Sequence, residues 1–170
     1  MASEGSMVMV ARKMHDIVRL AISIVICQGV GVIGAFFTHS SIPTWYATLA
    51  KPAFTPHNGV FAPVWTTLYV LMGIALFLVW RSGPAESKVK LAIGLFSVQL
   101  LCNVAWSPLF FGLRFPLAGL VKIIALWVAI VVTIFSFLKI SRASSILLVP
   151  YFTWVSFAAA LNTVIWRLNP

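Results

Sequence analysis

Five long apolar stretches run along the chain, separated by shorter segments that are polar or contain proline. Each reaches the roughly 20 residues that a helix needs to cross a hydrocarbon core about 30 Å thick. Backbone groups find no water in lipid, so each stretch has to satisfy its own hydrogen bonds as a helix. We therefore predict an all-α integral membrane protein, a five transmembrane helix bundle. The predicted spans lie at about 17–37, 60–80, 91–111, 115–138 and 146–166.

The connections between these spans indicate how the helices lie. Those after the second, third and fourth spans are short, which makes sequential helices antiparallel neighbours. They cover 81–90, 112–115 and 139–145. Only the first loop, at about 38–59, is long, and it is rich in proline and aromatic residues. Residues 1–16 form an N-terminal extension without the pattern of a removable signal peptide. We expect 17–170 to form one membrane domain.

Composition supports the membrane class. Mean hydropathy is +1.03 and only three side chains are acidic, which is too few charges for the surface of a water-soluble domain. The net charge of +9 would suit a nucleic acid. However, the basic residues are scattered between apolar runs, as is typical of topology signals and headgroup anchors. We expect the lipid bilayer, and no nucleic acid, as a partner.

The basic residues also predict an orientation. One side of the membrane collects Arg12, Lys13, Arg19, Arg81, Lys88, Lys90, Lys139 and Arg142, and the other Lys51, Arg114 and Arg167. Because basic residues favour the cytoplasmic side, this bias predicts a cytoplasmic N-terminus, with the long loop and the C-terminus on the opposite side.

Helical spacing places tryptophans and polar groups on shared faces of three spans. These faces are Trp65, Tyr69, Met72, Gly73 and Leu76 in the second span; Gln99, Asn103, Trp106, Ser107 and Phe110 in the third; and Tyr151, Trp154, Ala158, Leu161, Asn162 and Ile165 in the fifth. Such faces serve either interhelical packing or a shared apolar pocket with a few hydrogen-bonding groups. The pattern alone leaves both interpretations open.

The first and fourth spans have different patterns. In the fourth, small residues form a stripe that we expect to face protein, with Trp127 on the opposite side. The stripe consists of Ala118, Lys122, Ala125, Ala129, Thr133 and Ser136. Lys122 either snorkels to the nearby loop or lies within the bundle as a functional residue. In the first span, the face expected to pack inward is Gln28, Gly31, Ala35 and His39.

No constellation for catalysis or metal binding is recognised. The three acidic residues lie outside the spans, which argues against a carboxylate pair or a proton relay. The histidines, His15, His39 and His57, match no metal motif. Cys27 and Cys102 fall inside apolar runs, where small hydrophobic packing is the simplest role. We therefore expect no metal site and no required cofactor.

Three motifs closely resemble the translocator protein family, also called the tryptophan-rich sensory proteins or peripheral-type benzodiazepine receptors. They read "WY..L.KP.F.P...VF..VW..LY..MG", "QL..N..WS.LFF" and "LL.PY..W..FA..LN..IW.LN", in the family's order and spacing. The resemblance extends from about Ile17 to Pro170. It implies a five-helix bundle, commonly a homodimer, whose interior pocket is capped by the first loop.

The resemblance also implies ligands and site residues. Family members bind porphyrins and haem intermediates, and animal members also bind cholesterol and synthetic isoquinoline and benzodiazepine ligands. Trp65 and Trp154 match the two pocket tryptophans, and Tyr46 and Pro56 match positions in the capping loop. The matching pocket-wall positions are Tyr69, Asn103, Trp106, Phe110, Ala158 and Leu161.

Two departures from the family pattern bear on the ligand. His57 replaces the second of two loop prolines, and Gly59 stands where a tryptophan often follows. The loop has therefore lost a stacking ring, while His57 offers an imidazole nitrogen. Near the C-terminus, Thr163 and Val164 stand where the sterol motif has its tyrosine, which makes tetrapyrrole a better expected ligand than sterol.

The leading hypothesis is a membrane receptor or sensor for porphyrin or haem intermediates that acts by binding. Trp65 and Trp154 would stack on the ring, Asn103 and Gln99 would hydrogen-bond its polar edges, and Lys122 would pair with a propionate. The alternatives are light-dependent porphyrin breakdown involving the two tryptophans, and transport of porphyrin-like or sterol-like molecules. Bacterial members suggest an envelope membrane and animal members the mitochondrial outer membrane, and we expect the bacterial envelope.

Overall fold

The computed structural model describes residues 2–169, and this part of the chain is helical with no strands. The helices are α1 (Ala2–His39), α2 (Trp45–Thr48), α3 (Asn58–Trp80), α4 (Ser87–Ser107), α5 (Pro116–Leu138), α6 (Arg142–Leu147) and α7 (Val149–Leu168). A π-helical turn, Pro108–Gly112, continues α4.

Five segments within residues 2–169 are long and apolar enough to cross a membrane, which confirms the predicted five-helix all-α fold. They are Arg12–His39, Asn58–Trp80, Ser87–Gly112, Pro116–Leu138 and Arg142–Leu168. The first differs most from its predicted bounds, because the helix already begins at Ala2. At about 1.5 Å per residue, α1 is longer than a hydrocarbon core about 30 Å thick. Part of it therefore extends beyond the membrane.

Proline and histidine fix where several helices begin. Pro116 and Pro150 lie in the first turns of α5 and α7, where a missing N–H costs no hydrogen bond. At the start of α3, the His57 ring accepts a hydrogen bond from the Gly59 N–H through Nδ1, at 3.2 Å. The histidine at this departure from the family pattern therefore serves as the helix cap.

The helices pack in a closed ring. α1 packs along α3 and also meets α4, α4 packs along α5, and α5 packs along α7. α6 fills the space between α3 and α5. α7 meets α3 at only a few positions, and large aromatic side chains bridge the gap between these two helices.

Glycine allows α1 and α3 to approach closely. A Cβ atom on Gly73 would lie 2.7 Å from the Cα atom of Ile24, and one on Gly31 would lie 2.7 Å from ring carbons of Tyr69. Small residues permit such approach in lipid, where helix association depends on van der Waals packing.

The predicted inner faces of α3, α4 and α7 are largely buried. Buried members include Tyr69 and Met72 on α3, Gln99 and Asn103 on α4, and Tyr151 on α7. These residues join the main core, which spans all five membrane segments.

The predicted inner face of α1 is only partly correct. Gly31 and Gln28 lie against α3, and the Gln28 side chain donates to the carbonyl of Thr66 at 3.0 Å. Ala35 and His39 are exposed instead. The buried positions of α1 lie further back, at Ser23, Cys27 and Val30, because the close contact with α3 is centred there.

The small-residue stripe of α5, expected to face protein with Trp127 on the opposite side, is not the face that packs within the bundle. Its buried residues are Gly119, Leu120, Ile123, Leu126, Ile130, Thr133 and Phe137. Of the small-residue stripe only Thr133 is buried, and Ala125 is exposed. Trp127, expected to point away, packs on Phe152 and donates its indole N–H to Ser156 at 2.8 Å. Large side chains bury more area than alanines, so they and not the stripe determine which face packs.

We predict that Gly73→Ala lowers the free energy of unfolding by about 1–3 kcal/mol, because the added methyl group overlaps the backbone of Ile24. Denaturation in detergent, followed by circular dichroism, measures the change. Gly94→Ala is the matched control, since a Cβ atom there meets nothing within 4 Å. Equal stability of the two variants would contradict the close contact.

Candidate ligand-binding site

A chain of hydrogen bonds crosses the bundle interior between α3, α4 and α7. The Tyr69 hydroxyl donates to Asn103 Oδ1 at 2.7 Å, and Asn103 Nδ2 donates to the Tyr151 hydroxyl at 2.8 Å. The Tyr151 hydroxyl in turn donates to Gln99 Oε1 at 3.1 Å. All four side chains are buried, and Gln99 Nε2 has no partner within the described structure. One buried donor therefore remains available at the end of the chain.

Trp65 and Trp154 line the two sides of the gap between α3 and α7. Trp65 stacks on Tyr69, with ring centroids 5.5 Å apart, and its edge contacts Tyr151 at 6.3 Å. Trp154 contacts Phe61 of α3 at 5.9 Å, and its indole N–H has no partner within the described residues. Both tryptophans are half-buried, so neither ring is fully enclosed by the protein.

A second aromatic cluster closes the loop end of the bundle. Trp106 stacks on Phe110, with centroids 5.2 Å apart and an interplanar angle of 12°. Phe110 belongs to the π-helical turn and is buried with Leu161 of α7. Ala158, one helical turn before Leu161, packs against the main core. The predicted wall positions on α4 and α7 therefore lie in two adjoining clusters.

The long first loop packs onto this second cluster. Tyr46 of α2 is buried, with its ring 6.3 Å from Phe110 and 5.7 Å from Phe111. The Ser41 hydroxyl donates to the carbonyl of Phe111 at 3.1 Å. Further along the loop, Phe54 reaches Phe157 of α7 at 6.3 Å. The loop thus covers the ends of both α4 and α7.

Asn169, which follows α7, also binds the loop. The Ala50 N–H donates to Asn169 Oδ1 at 3.0 Å, and Asn169 Nδ2 donates to the Ala50 carbonyl at 3.0 Å. Lys51 lies 4.7 Å from the centre of the Tyr46 ring. Burial raises the pKa of the Tyr46 hydroxyl above its usual value near 10, which keeps it neutral under physiological conditions. Pro56 is half-buried near the end of the loop.

Asn162 is the most incompletely bonded side chain of the site. It is 2% exposed, yet neither its amide nitrogen nor its amide oxygen has a partner within the described residues. Its nitrogen lies beside Phe110 and 3.2 Å from the position that a Cβ on Gly119 would occupy. A buried amide without partners is costly, and such exceptions in a structure call for a reason.

Within the described residues no hydrogen bond joins Lys122 to the chain of Tyr69, Asn103, Tyr151 and Gln99. It is half-buried on α5, and the salt bridge found within the described residues joins Lys88 to Glu86 at 3.0 Å. Cys27 is fully buried in the core as a free thiol, in keeping with a packing role. Within the described residues no group of three metal-binding side chains comes together.

Several residues that the sequence did not assign to the site lie within it. Phe61 precedes Trp65 by one helical turn, Phe157 follows Trp154 by three residues, and helical spacing could have found both. Tyr151 and Asn162 were placed on the correct face but without a role. Asn169 carried no signal, because its contact with the loop joins residues 119 positions apart.

Comparisons with known proteins agree with the fold and the three motifs. A family model described as the TspO/MBR family matches residues 23–167. "Tryptophan-rich protein TspO" of Chlorobaculum tepidum is 46% identical over 155 residues, covering 91% of this chain and 98% of that protein. The protein of the same name from Archaeoglobus fulgidus is 48% identical, covering 91% and 99%. "Translocator protein" of Homo sapiens is 38% identical over 138 residues, covering 81% and 82%.

We predict that Asn103→Leu lowers the free energy of unfolding by about 1–2 kcal/mol, because it removes two hydrogen bonds and leaves the Tyr69 and Tyr151 hydroxyls short of a partner. Thermal unfolding in detergent measures the loss. Ser97→Ala is the control, since the exposed Ser97 hydroxyl bonds only within its own helix. A loss no larger than that of the control would show that the network does not stabilise the bundle.

Proposed function

Because the chain belongs to the TspO/MBR family, we propose that it is a membrane receptor or sensor that binds tetrapyrroles, porphyrin or a haem intermediate, in the gap between α3 and α7. The observation that carries this proposal is the placement of Trp65 and Trp154 on opposite sides of that gap, both half-buried. Two half-buried indole rings on adjacent helices suit a flat aromatic ligand that separates them and gains stacking energy on each face.

The polar atoms near the gap support the same ligand class. Small-molecule sites are mostly apolar, with a few polar groups that fix orientation. Gln99 Nε2 and the Trp154 indole N–H are buried donors without partners, and the Asn162 amide offers both a donor and an acceptor. A tetrapyrrole carries ring nitrogens and carboxylates that match these groups. Under this proposal Asn103 positions the tyrosines and does not bond the ligand itself, because both polar atoms of its amide group already bond tyrosines.

Under this proposal, the first loop is the lid that covers the ligand site. In the described conformation its aromatic side chains occupy the space above the wall residues, with Tyr46 buried against Phe110. Trp65 likewise stacks on Tyr69. A ligand of porphyrin size therefore enters only as these contacts separate. Because His57 Nδ1 is bonded to the Gly59 N–H, only Nε2 is left for a haem iron, and a capping role accounts for His57 without one.

Lys122 is proposed to pair with a ligand carboxylate. A half-buried lysine within a span is costly unless a counter-charge neutralises it. Lys122→Glu would then weaken the binding of a dicarboxylate porphyrin far more than that of its dimethyl ester. Equal binding of the porphyrin to both proteins would remove Lys122 from the site.

We also propose an orientation and a membrane for this protein. We place the N-terminus in the cytoplasm and the protein in a bacterial envelope membrane, on the charge bias and the prokaryotic relatives. Reporter fusions at the C-terminus test the orientation.

We also propose a homodimer that uses the exposed small residues of α5, such as Ala125. Light scattering of the detergent-solubilised protein would detect it, and Ala125→Phe would disrupt it.

We predict that Trp65→Ala weakens protoporphyrin IX binding by about 1–3 kcal/mol, or roughly 5–150-fold in Kd, because one stacking surface is lost. Trp154→Phe keeps a ring but loses the indole N–H, so its effect is smaller. Porphyrin absorbance and quenching of tryptophan fluorescence are followed together in titrations kept in darkness.

The matched control for both variants is Trp127→Phe. Trp127 bonds Ser156 at the contact of α5 with α7, outside the gap, so its loss leaves porphyrin affinity unchanged. Isoquinoline and cholesterol titrations on the same proteins measure selectivity, and we expect sterol to bind more weakly than porphyrin. Unsaturable quenching that neither gap variant changes would refute the tetrapyrrole site.

Light-dependent porphyrin breakdown is the second candidate, favoured by the two indole rings that line the gap. It requires faster bleaching of illuminated porphyrin with the protein than without it, slowed in Trp65→Phe and Trp154→Phe. Transport, suggested by the name translocator protein of the human relative, requires protein-dependent flux of porphyrin across vesicles. Saturable porphyrin binding without faster bleaching and without flux across vesicles would support the receptor function.

A further inference from the structure

A cavity of about 450 Å³ lies at the opposite end of the bundle from the long loop. Its lining is formed by Arg12, His15, Asp16 and Arg19 of α1 and by Arg81, the residue that follows α3. The four α1 residues are spaced three, four and seven apart, so they share one helix face. This cavity contains none of the residues proposed to bind tetrapyrrole.

The charges of the cavity favour an anion. Three arginines and one carboxylate line the cavity, an excess of two positive charges among these four groups. No salt bridge joins Asp16 to an arginine within the described residues. Within the described residues no ion pair therefore occupies these guanidinium groups, and a phosphate group would satisfy them with bidentate hydrogen bonds.

Aromatic rings hold two of these arginines beside the cavity. The guanidinium carbon of Arg19 lies 5.9 Å from the ring centre of Trp80, and that of Arg81 lies 5.6 Å from the ring centre of Phe77. Contact with a ring face positions a guanidinium group without using its N–H donors. Both arginines thus remain able to bond a phosphate.

The position of the cavity indicates a lipid source for that phosphate. Trp80 ends α3, and tryptophan is typical of the membrane–water boundary. Along α1 beside the cavity, Ile17 and Val18 are 66% and 53% exposed, and Ile22, further into the span, is 41% exposed. These apolar side chains offer a path for an acyl chain, while the charged groups lie at headgroup level.

We propose that this cavity binds the headgroup of an anionic phospholipid, with the phosphodiester on Arg12, Arg19 and Arg81 and a headgroup hydroxyl on Asp16. The site is independent of the tetrapyrrole proposal, because the two lie at opposite ends of the bundle. Basic pockets between transmembrane helices on the cytoplasmic side suit anionic headgroups in general.

The experiment compares lipid retention by the purified protein in neutral detergent. Phosphatidylglycerol and phosphatidylcholine with identical acyl chains are added, and bound lipid is counted by native mass spectrometry. We expect the wild-type protein to prefer phosphatidylglycerol. This preference should fall about fivefold in each of the single variants Arg19→Gln and Arg81→Gln. Arg142→Gln, a change of the same kind at an exposed arginine outside the cavity, should leave the preference intact.

Two further arms make the outcome decisive. Arg19→Lys keeps the positive charge but loses the bidentate geometry of the guanidinium group, so its preference should lie between those of the wild type and Arg19→Gln. Circular dichroism of every variant checks that the helices are intact. Inorganic phosphate should not displace the lipid at equal concentration. Equal retention of the two lipids by the wild-type protein, an equal loss of preference in Arg142→Gln, or full displacement by inorganic phosphate would each overturn the proposal.

Discussion

The scarcity of water in the bilayer interior is the constraint on which the arrangement of this bundle depends. A buried hydroxyl or amide there gains from a partner within the protein, and a long side chain can reach one on a neighbouring helix. Tyr69, Asn103 and Tyr151 do so, and in bonding one another they fix the relative positions of α3, α4 and α7. The gap between α3 and α7 therefore has a defined width, which its aromatic side chains fill. These hydrogen bonds thus set the spacing of the aromatic side chains between α3 and α7.

The two ends of the bundle differ in chemistry. At the loop end, aromatic rings from the loop, α4 and α7 pack on one another, with Tyr46 and Phe110 at the centre. At the other end, three arginines line a cavity, and two of them, Arg19 and Arg81, lie over aromatic rings. Tryptophan residues occur at both ends, but they contact apolar neighbours in one case and a cation in the other. One abundant residue type therefore serves two different purposes.

The sequence predicted the five spans because their length and apolar character follow directly from the thickness of a bilayer. It also predicted the inner faces of α3, α4 and α7, where aromatic and polar residues recur at helical spacing. The small-residue stripe of α5 did not predict the face that packs within the bundle, because Trp127, expected on the opposite side, packs on Phe152 and bonds Ser156 of α7. Contacts between distant parts of the chain, such as that of Ala50 with Asn169, leave no periodic pattern, so only the structure could find them.

The paired hydrogen bonds between Ala50 and Asn169 join the middle of the first loop to the end of the last helix. Asn169 also donates to the carbonyl of Ile165, which ties it to the final turn of α7. A loop that moves away from the bundle must therefore break these hydrogen bonds or move the final turn of α7 with it. The position of the first loop is thus mechanically coupled to the last turn of α7.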